Sequence, residues 1–592
     1  MVKIRIDSDS VDSIDLLPVI KTVKDYSWEK FRGDFKASIN VAVLDFPQGI
    51  AYALIAGIPF YYGIFAAVIA SLVALFFGKS PFIKIGPTNA TAVMLLSCFI
   101  AADISTPEAR LASLSVIVLL IGIFLILSAV FNFTNLLGFV SRTVITGYVT
   151  AAALLILANQ TTNAFGFHLS QDQQSYSFFG NIYYAYVNLG DSQVQSIVIF
   201  FITLVIVWVA KSKLKKFPAE ILGIALASLI AFTCTKFFDI QFDCLGALVT
   251  SEWTLTLPNF YSIDLRTAAG SALAIAILCG LEGASIGKTM ASRNAQRLNV
   301  NQEIFTLGMA NVGCALFSGM PVSGSLTRSA LNVTSGAKTA MANLFMVIWL
   351  LLGILFLGNA LQYVPKAALA GVIFYLGISL INKNNIRIAL NSTKSDAFVF
   401  IITCASALLF PLSDAIFIGV ALSIMLFLRK ASAPEVVEYS FKDDGNLSPI
   451  DSPSDRQDPK VSIVHVEGNL FFGASDFFQT QTRLIAADKN LKVLILKLRN
   501  AHNIDATSLI DIKDLAKSMQ VNQGHLILCE VKDNVMRLLK KSKVLTAIGE
   551  ENVFLDDTYN PTLSAAAALR RAKTLLGGAT PDISIYAKPT QN

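Results

Sequence analysis

Between Ala37 and Leu428 the chain is a succession of about fourteen apolar runs, near 37–58, 61–78, 87–103, 111–133, 140–158, 194–210, 218–238, 267–287, 304–318, 325–337, 340–358, 363–381, 396–411 and 413–428. A helix needs roughly 20 such residues to cross a bilayer. In hydrocarbon only helices or closed barrels satisfy their own backbone. The runs therefore predict a polytopic α-helical membrane protein, several of whose segments are too short to cross alone. Composition agrees, since 54% of the 592 residues are hydrophobic and 15% charged, against about 25% charged in a soluble domain. The net charge of +6 does not point to nucleic acid, because the basic residues fall in short clusters between the runs rather than along one face.

Those clusters orient the chain. If every run crosses, Lys79 and Lys84, Lys211 to Lys216, Lys288 to Arg297, Lys383 to Lys394, and Arg429 with Lys430 share one side, while the connection from Asn159 to Gln193 on the other side has no Lys or Arg. Positive charge marks the cytoplasmic face. This predicts a multi-pass protein of the cell membrane with both termini cytoplasmic. Residues 1–35 are mixed in charge and lack the apolar core of a cleaved signal peptide, so the first run directs insertion.

Two runs are broken. Gly319, Pro321 and Gly324 interrupt the stretch from Gly313 to Asn332, after which Ser325 to Arg328 restart a helix. Irregular backbone at membrane depth is tolerated only inside protein or beside a wet cavity. N–H groups, hydroxyls and a guanidinium converging there favour an anion. A partner occurs in Lys84-Ile-Gly-Pro-Thr-Asn-Ala-Thr91, where Gly86 and Pro87 precede a new apolar run. Paired interruptions in matching halves predict an inverted-repeat transporter.

Other chemistry is absent from the pattern. The seven cysteines form no Cys-x-x-Cys pair and sit mostly in apolar segments, and the four histidines are scattered. No metal, cofactor or enzyme active site is expected. After Lys430 the composition changes. Residues 431–459 are rich in Pro, Ser, Asp and Glu and are expected to be a linker. Beyond them 461–466, 492–498, 526–531 and 552–556 read as strands, and 475–487, 507–520, 532–545 and 561–575 as amphipathic helices, which predicts a small α/β domain. The expected organisation is a 1–35 cytoplasmic segment, a 36–430 transmembrane domain, a 431–459 linker, a 460–576 α/β domain and a disordered 577–592 tail.

Several separated stretches resemble one family. Phe46-Pro-Gln-Gly-Ile-Ala-Tyr-Ala-Leu-Ile-Ala-Gly-Ile-Pro59, Phe77-Gly-Lys-Ser80, Ile85-Gly-Pro87, Asn301-Gln-Glu303 with Ala310-Asn311, and Pro321 to Asn332 are similar to the SulP sulfate permeases, microbial relatives of the solute carrier family 26 anion transporters. Asn503-Ile-Asp-Ala-Thr-Ser508 resembles the strand-to-helix loop of a STAS domain. The resemblance implies two inverted seven-segment repeats divided into core and gate domains, a homodimer in the lipid bilayer, and a small anion held between segments three and ten. Carried onto this chain, the site comprises Gln48 and Tyr52, Thr88, Asn89 and Ala90, and Ser325, Leu326, Thr327 and Arg328.

Two departures bear on mechanism. Sodium-coupled bicarbonate members pair an acid in segment eight with a hydroxyl four residues on, whereas here Glu282 is followed at that spacing by Ile286, with Ser285 an imperfect substitute. Sodium coupling is not expected, and Glu282 becomes the candidate for coupling to a proton. Arg328 is a second possible partner for Glu282, and Asp45 is a buried acid outside the family pattern. In the STAS loop Asp505 precedes Ala506 where anti-sigma-factor antagonists carry a phosphorylated Ser, and Thr507 and Ser508 are expected to cap the following helix. The function expected is secondary active transport of sulfate, bicarbonate or a small carboxylate by an elevator-type movement. The alternatives are an uncoupled exchanger or channel, or a membrane-tethered STAS scaffold.

Overall fold

Every apolar run becomes a helix in the computed structural model. It describes residues 14–578 except 135–139, 168–177, 214–218, 249, 296, 442–446, 451, 453–454, 457, 503 and 558–560. Segments 1 (Trp28–Ile55), 2 (Tyr61–Phe77), 3 (Asn89–Ala101), 4 (Pro107–Val130), 5 (Arg142–Phe165), 6 (Val194–Lys213) and 7 (Ala219–Phe238) form the first half. Segments 8 (Leu265–Arg293), 9 (Val300–Leu316), 10 (Leu326–Thr334), 11 (Ala342–Leu357), 12 (Lys366–Leu380), 13 (Lys394–Leu409) and 14 (Leu412–Ala431) form the second. Segments 3 and 10 have 13 and 9 residues. At 1.5 Å per residue they reach only about 20 and 14 Å, short of the roughly 30 Å hydrocarbon layer.

The packing repeats between the halves. Segment 1 packs on 11 as 8 packs on 4, segment 2 on 11 as 9 on 4, segment 5 on 13 as 12 on 6, and segment 10 on 1 as 3 on 8. Each pair maps onto its counterpart when every segment is exchanged with the one seven places away in the other half. Seven segments per half is an odd number, and with extended chain leading into short segments 3 and 10 the second half runs inverted relative to the first. The contacts also divide the segments into a core of 1–4 and 8–11 and a gate of 5–7 and 12–14. The largest apolar cluster draws mainly on the core, and two smaller clusters on segments 5, 6, 7 and 12.

Apolar area contributes little to helix association inside lipid, so close approach must do more. Gly49 and Gly63 bring segments 1 and 2 together: a Cβ on Gly63 would lie 1.9 Å from the Gly49 carbonyl oxygen. Before the two short segments, β1 (Ile85–Gly86) and β2 (Ser323–Gly324) pair antiparallel, with Ile85 opposite Gly324 and Gly86 opposite Ser323. The pairing brings together loops more than two hundred residues apart.

A second unit begins at Ile424. Its strands are β3 (Glu435–Phe441), β4 (Leu447–Pro449), β5 (Val461–Asn469), β6 (Val493–Lys497), β7 (Ala501–His502), β8 (His525–Val531) and β9 (Val553–Leu555). They are ordered β4-β3-β5-β6-β8-β9, with β7 against β5. β3 runs antiparallel to β4 and β5, and β5, β6, β8 and β9 run parallel. Alternation along β6 sends Leu494 and Leu496 to a face with Phe478, Ile512 and Leu539, and Val493 and Ile495 to a face with Ala568 and Ala572. Stretch 431–459, expected to be a linker, instead carries β3 and β4. The buried Arg456 ties it down through bonds of 2.6 Å to both Glu438 and Asp488. The tail expected at 577–592 lies, from 579 on, outside the described residues.

Candidate anion site

The crossed strands fix where segments 3 and 10 begin. The Ser325 N–H donates to the Lys84 carbonyl at 3.0 Å, and the Lys84 N–H donates to the Ser329 hydroxyl at 2.9 Å. Asn311 on segment 9 grips the approaching chain from the other side, exchanging two 3.0 Å bonds with the backbone of Val322. Extended backbone at Thr88 and Ser325 then turns into helix, with each side chain capping its own first turn. Thr88 and Thr91 form a reciprocal capping box, and the Ser325 hydroxyl accepts from the Arg328 N–H at 3.4 Å.

These caps satisfy the third helical N–H in each case. The first two, on Asn89 and Ala90 and on Leu326 and Thr327, have no intrahelical acceptor by position. All four residues line one cavity of about 370 Å³. Thr88, Ser325 and Tyr52 line it too, so seven of the nine predicted binding residues meet there. Two aligned helix starts put partial positive charge on the wall without a formal cation. The opposite wall is apolar, built from Ile145, Val149, Ala152 and Ile156 of segment 5. Tyr148 adds a hydroxyl 3.5 Å from the Ala90 carbonyl.

Gln48 and Arg328 are not among the cavity-lining residues. Arg328 is fully buried behind the helix starts, where its guanidinium forms a salt bridge with Asp45 and donates to the Pro87 carbonyl at 2.7 Å. This corrects the expectation that the guanidinium converges on the anion or pairs with Glu282. Glycine at 86 is what makes room, since a Cβ there would lie 2.7 Å from Nη1 of Arg328. Asp45, outside the family pattern in the sequence, therefore has a definite task. It sits three residues before Gln48 on segment 1 and neutralises a charge that would be costly alone. Lys84 is buried in the same region, and its Nζ donates to the side-chain Oδ1 of Asn343 at 2.5 Å.

Glu282 does line the cavity, beside Ser285 and Ile286. Its Oε2 accepts from the Ser323 hydroxyl at 2.8 Å, which joins segment 8 to β2. No cluster of three or more His, Cys, Asp or Glu side chains suited to a metal occurs among the described residues.

The sulfate permease family matches residues 31–403, and the STAS domain matches 452–558. The chain belongs to the sulfate permease family. YvdB of Bacillus subtilis (strain 168) is 26% identical over 90% of this chain and 97% of its own length. The sodium-independent sulfate anion transporter of Bos taurus is 29% identical, covering 71% and 73%. Murine Slc26a9, an anion transporter solved in the inward-facing state, superimposes with a TM-score of 0.82 at 20% identity, over 94% of both chains. The transmembrane domain of the cyanobacterial bicarbonate transporter BicA gives a TM-score of 0.58 at 21% identity, covering 67% of this chain and 98% of that one. These likenesses establish the fold: a two-repeat membrane domain followed by a STAS domain.

Within the STAS domain of this family member, the helix Ala506–Val521 is capped by Asp505, whose carboxylate accepts from the Ser508 N–H at 3.0 Å and the Phe472 N–H at 2.8 Å. Thr507 and Ser508 are not the cap; they lie inside the first turn. Burial pushes the Asp505 carboxyl up, but the N–H bonds from Ser508 and Phe472 outweigh it and hold the group below its ordinary value.

Proposed function

We propose that this chain carries a small oxyanion across the cell membrane, held by the N–H groups of Asn89, Ala90, Leu326 and Thr327 with the hydroxyls of Tyr52, Thr88, Ser325 and Thr327. The observation that carries this is the pair of opposed helix starts facing one cavity. Neutral donors bind an anion without a fixed countercharge, which also lets it leave. The relatives' names favour sulfate, with bicarbonate or a small carboxylate as the same chemical class. Gln48 and Arg328 act from behind, shaping the site. In this reading the core moves against the gate with the anion attached, both termini are cytoplasmic, and the chain works as a homodimer.

Glu282 is the coupling residue in this proposal. A carboxylate on the wall of an anion cavity repels the anion, so protonation and anion binding favour each other by the same factor. The alternative is uncoupled exchange, in which Glu282 keeps its bond to Ser323 throughout. Uptake of labelled sulfate, bicarbonate or dicarboxylate into liposomes, with the proton gradient and sodium varied separately, decides between them. Proton-driven uptake lost in Glu282→Gln supports coupling. A sodium requirement, or a proton dependence intact in Glu282→Gln, overturns it.

A further inference from the structure

Among the described residues, the gate's share of the central cavity wall is Ile145, Tyr148, Val149, Ala152 and Ile156 of segment 5 with Leu380 of segment 12. Tyr148 is the one polar side chain in that set. The spacing from 145 through 148, 149 and 152 to 156 keeps all five residues of segment 5 on one helical face. An oxyanion seated on the N–H groups of segments 3 and 10 turns its remaining oxygens toward this wall. Against hydrocarbon alone those oxygens would be desolvated and unpaired, which is costly. A phenol hydroxyl supplies a donor there without adding a charge.

The ring of Tyr148 is buried, which fixes where its oxygen lies. The hydroxyl donates to the Ala90 carbonyl at 3.5 Å, the long end of the hydrogen-bond range. By its position in segment 3 that carbonyl also accepts from the helical N–H four residues on. Releasing Tyr148 therefore leaves no acceptor unpaired, and rotation about the C–O bond redirects the hydroxyl proton to an anion oxygen at small cost. Tyr148 belongs to the gate and Ala90 to the core, so the contact lasts only while the two are in this arrangement. Of the gate residues on the wall, Ile145 lies three residues after Arg142, the first of segment 5, and Leu380 is the last of segment 12, close to Lys383. With both termini cytoplasmic, as proposed above, the cavity reaches toward the cytoplasmic ends of the gate segments.

We propose that Tyr148 is an affinity-determining residue of the gate, whose hydroxyl donates to the bound oxyanion while the site faces the cytoplasm and is left behind when the core carries the anion to the other face. The inference rests on the anion-transport reading above, including movement of the core against the gate. It adds a donor that stays with segment 5. The N–H groups of Asn89, Ala90, Leu326 and Thr327 travel with the core and serve both faces, whereas the phenol serves one. The inner site therefore holds the anion more tightly than the outer site by the value of one hydrogen bond to a charged group.

The test is labelled sulfate flux through the full-length protein in liposomes of uniform orientation, scored by protease access to the soluble unit, with sulfate varied at each face in turn. Tyr148→Phe keeps the buried ring and removes the hydroxyl alone. It is expected to raise the half-saturating sulfate concentration at the cytoplasmic face about tenfold and to change that at the outer face by less than twofold. Asn89→Pro, which deletes a donor that moves with the core, is expected to raise both. Equal changes at the two faces in Tyr148→Phe overturn the proposal, and so does a change confined to the outer face. An altered maximal rate with both half-saturating concentrations unchanged, or no change at all, also overturns it and leaves the Ala90 contact as packing. In each of these cases the anion-transport reading stands. Absence of sulfate flux in wild type removes that reading and this proposal together.

Discussion

Thr88-Asn-Ala-Thr91 at the start of segment 3 and Ser325-Leu-Thr-Arg328 at the start of segment 10 hold equivalent places in the two halves. Each supplies a hydroxyl cap, then two residues on the cavity wall, then a fourth that is fully buried and off the wall. The fourth residue is where the halves part. Thr91 bends back to its own cap, with its hydroxyl accepting from the Thr88 N–H at 3.1 Å. Arg328 reaches rearward instead, joining Asp45 on segment 1 to the Pro87 carbonyl that precedes segment 3. The comparison teaches that position within the first helical turn, more than residue type, decides what faces the cavity. The charged residue joins the scaffold, and the neutral ones line the cavity.

The strongest challenge to this view is Arg328→Ala. It strands Asp45 as a buried, unpaired charge and is expected to cost about 3–5 kcal/mol of stability. Thermal unfolding of the detergent-purified protein should show the loss, and Arg328→Met combined with Asp45→Asn should recover most of it. An Arg328→Ala protein as stable as wild type that has lost anion affinity would return the guanidinium to the ligand.

Deleting one donor at a time sharpens the equivalence of the wall positions. Proline is tolerated at the first helical residue and removes its N–H. Thr88 and Ser325 are both extended, as a residue preceding proline must be. Asn89→Pro and Leu326→Pro should each weaken anion binding by roughly 1.5–3 kcal/mol, about tenfold or more, the value of a hydrogen bond to a charged group. Markedly unequal effects in uptake assays would show that the anion sits closer to one half.

Thr91→Val tests the fourth position where it carries no charge. It leaves the buried Thr88 N–H without its acceptor and should reduce stability by about 1–2 kcal/mol. Sulfate affinity should stay within about twofold, since the residue is off the cavity wall.

The soluble unit offers the smallest effect and a contrast in how a buried group is handled. Nε2 of His465 has no hydrogen-bond partner, and desolvation, aided by Lys497, lowers this imidazole from 6.5 to about 4. A histidine kept neutral in the fold loses stability where the unfolded chain binds a proton and the folded one does not, between pH 6.5 and about 4. The side chain is partly exposed, so screening reduces the effect to about 1 kcal/mol. Urea unfolding of residues 432–578 at several pH values should show a decline on acidification that His465→Phe removes.

The arrangement of helices was legible because apolar runs and their Gly-Pro breaks are written locally. The cavity wall was legible because unsatisfied N–H groups follow from where a helix restarts. Arg328 was misplaced because a sequence shows that a guanidinium is buried but not toward which neighbour it extends; Asp45, the missing clue, lies 283 positions away. Strand β3 was hidden by Glu435 and Glu438, whose charges mask Val436, Val437 and Tyr439 in the pattern.

The strand pair β1–β2 has a consequence for energetics of turnover. Two helix starts bolted together by backbone hydrogen bonds, and by one guanidinium behind them, present the same donors whichever side of the membrane they face. In the carrier proposed above, the core's share of the binding energy is therefore the same on both sides, and any difference in affinity comes from the gate wall. Directional preference in such a carrier would then be set by the gate residues, not by the paired helix starts.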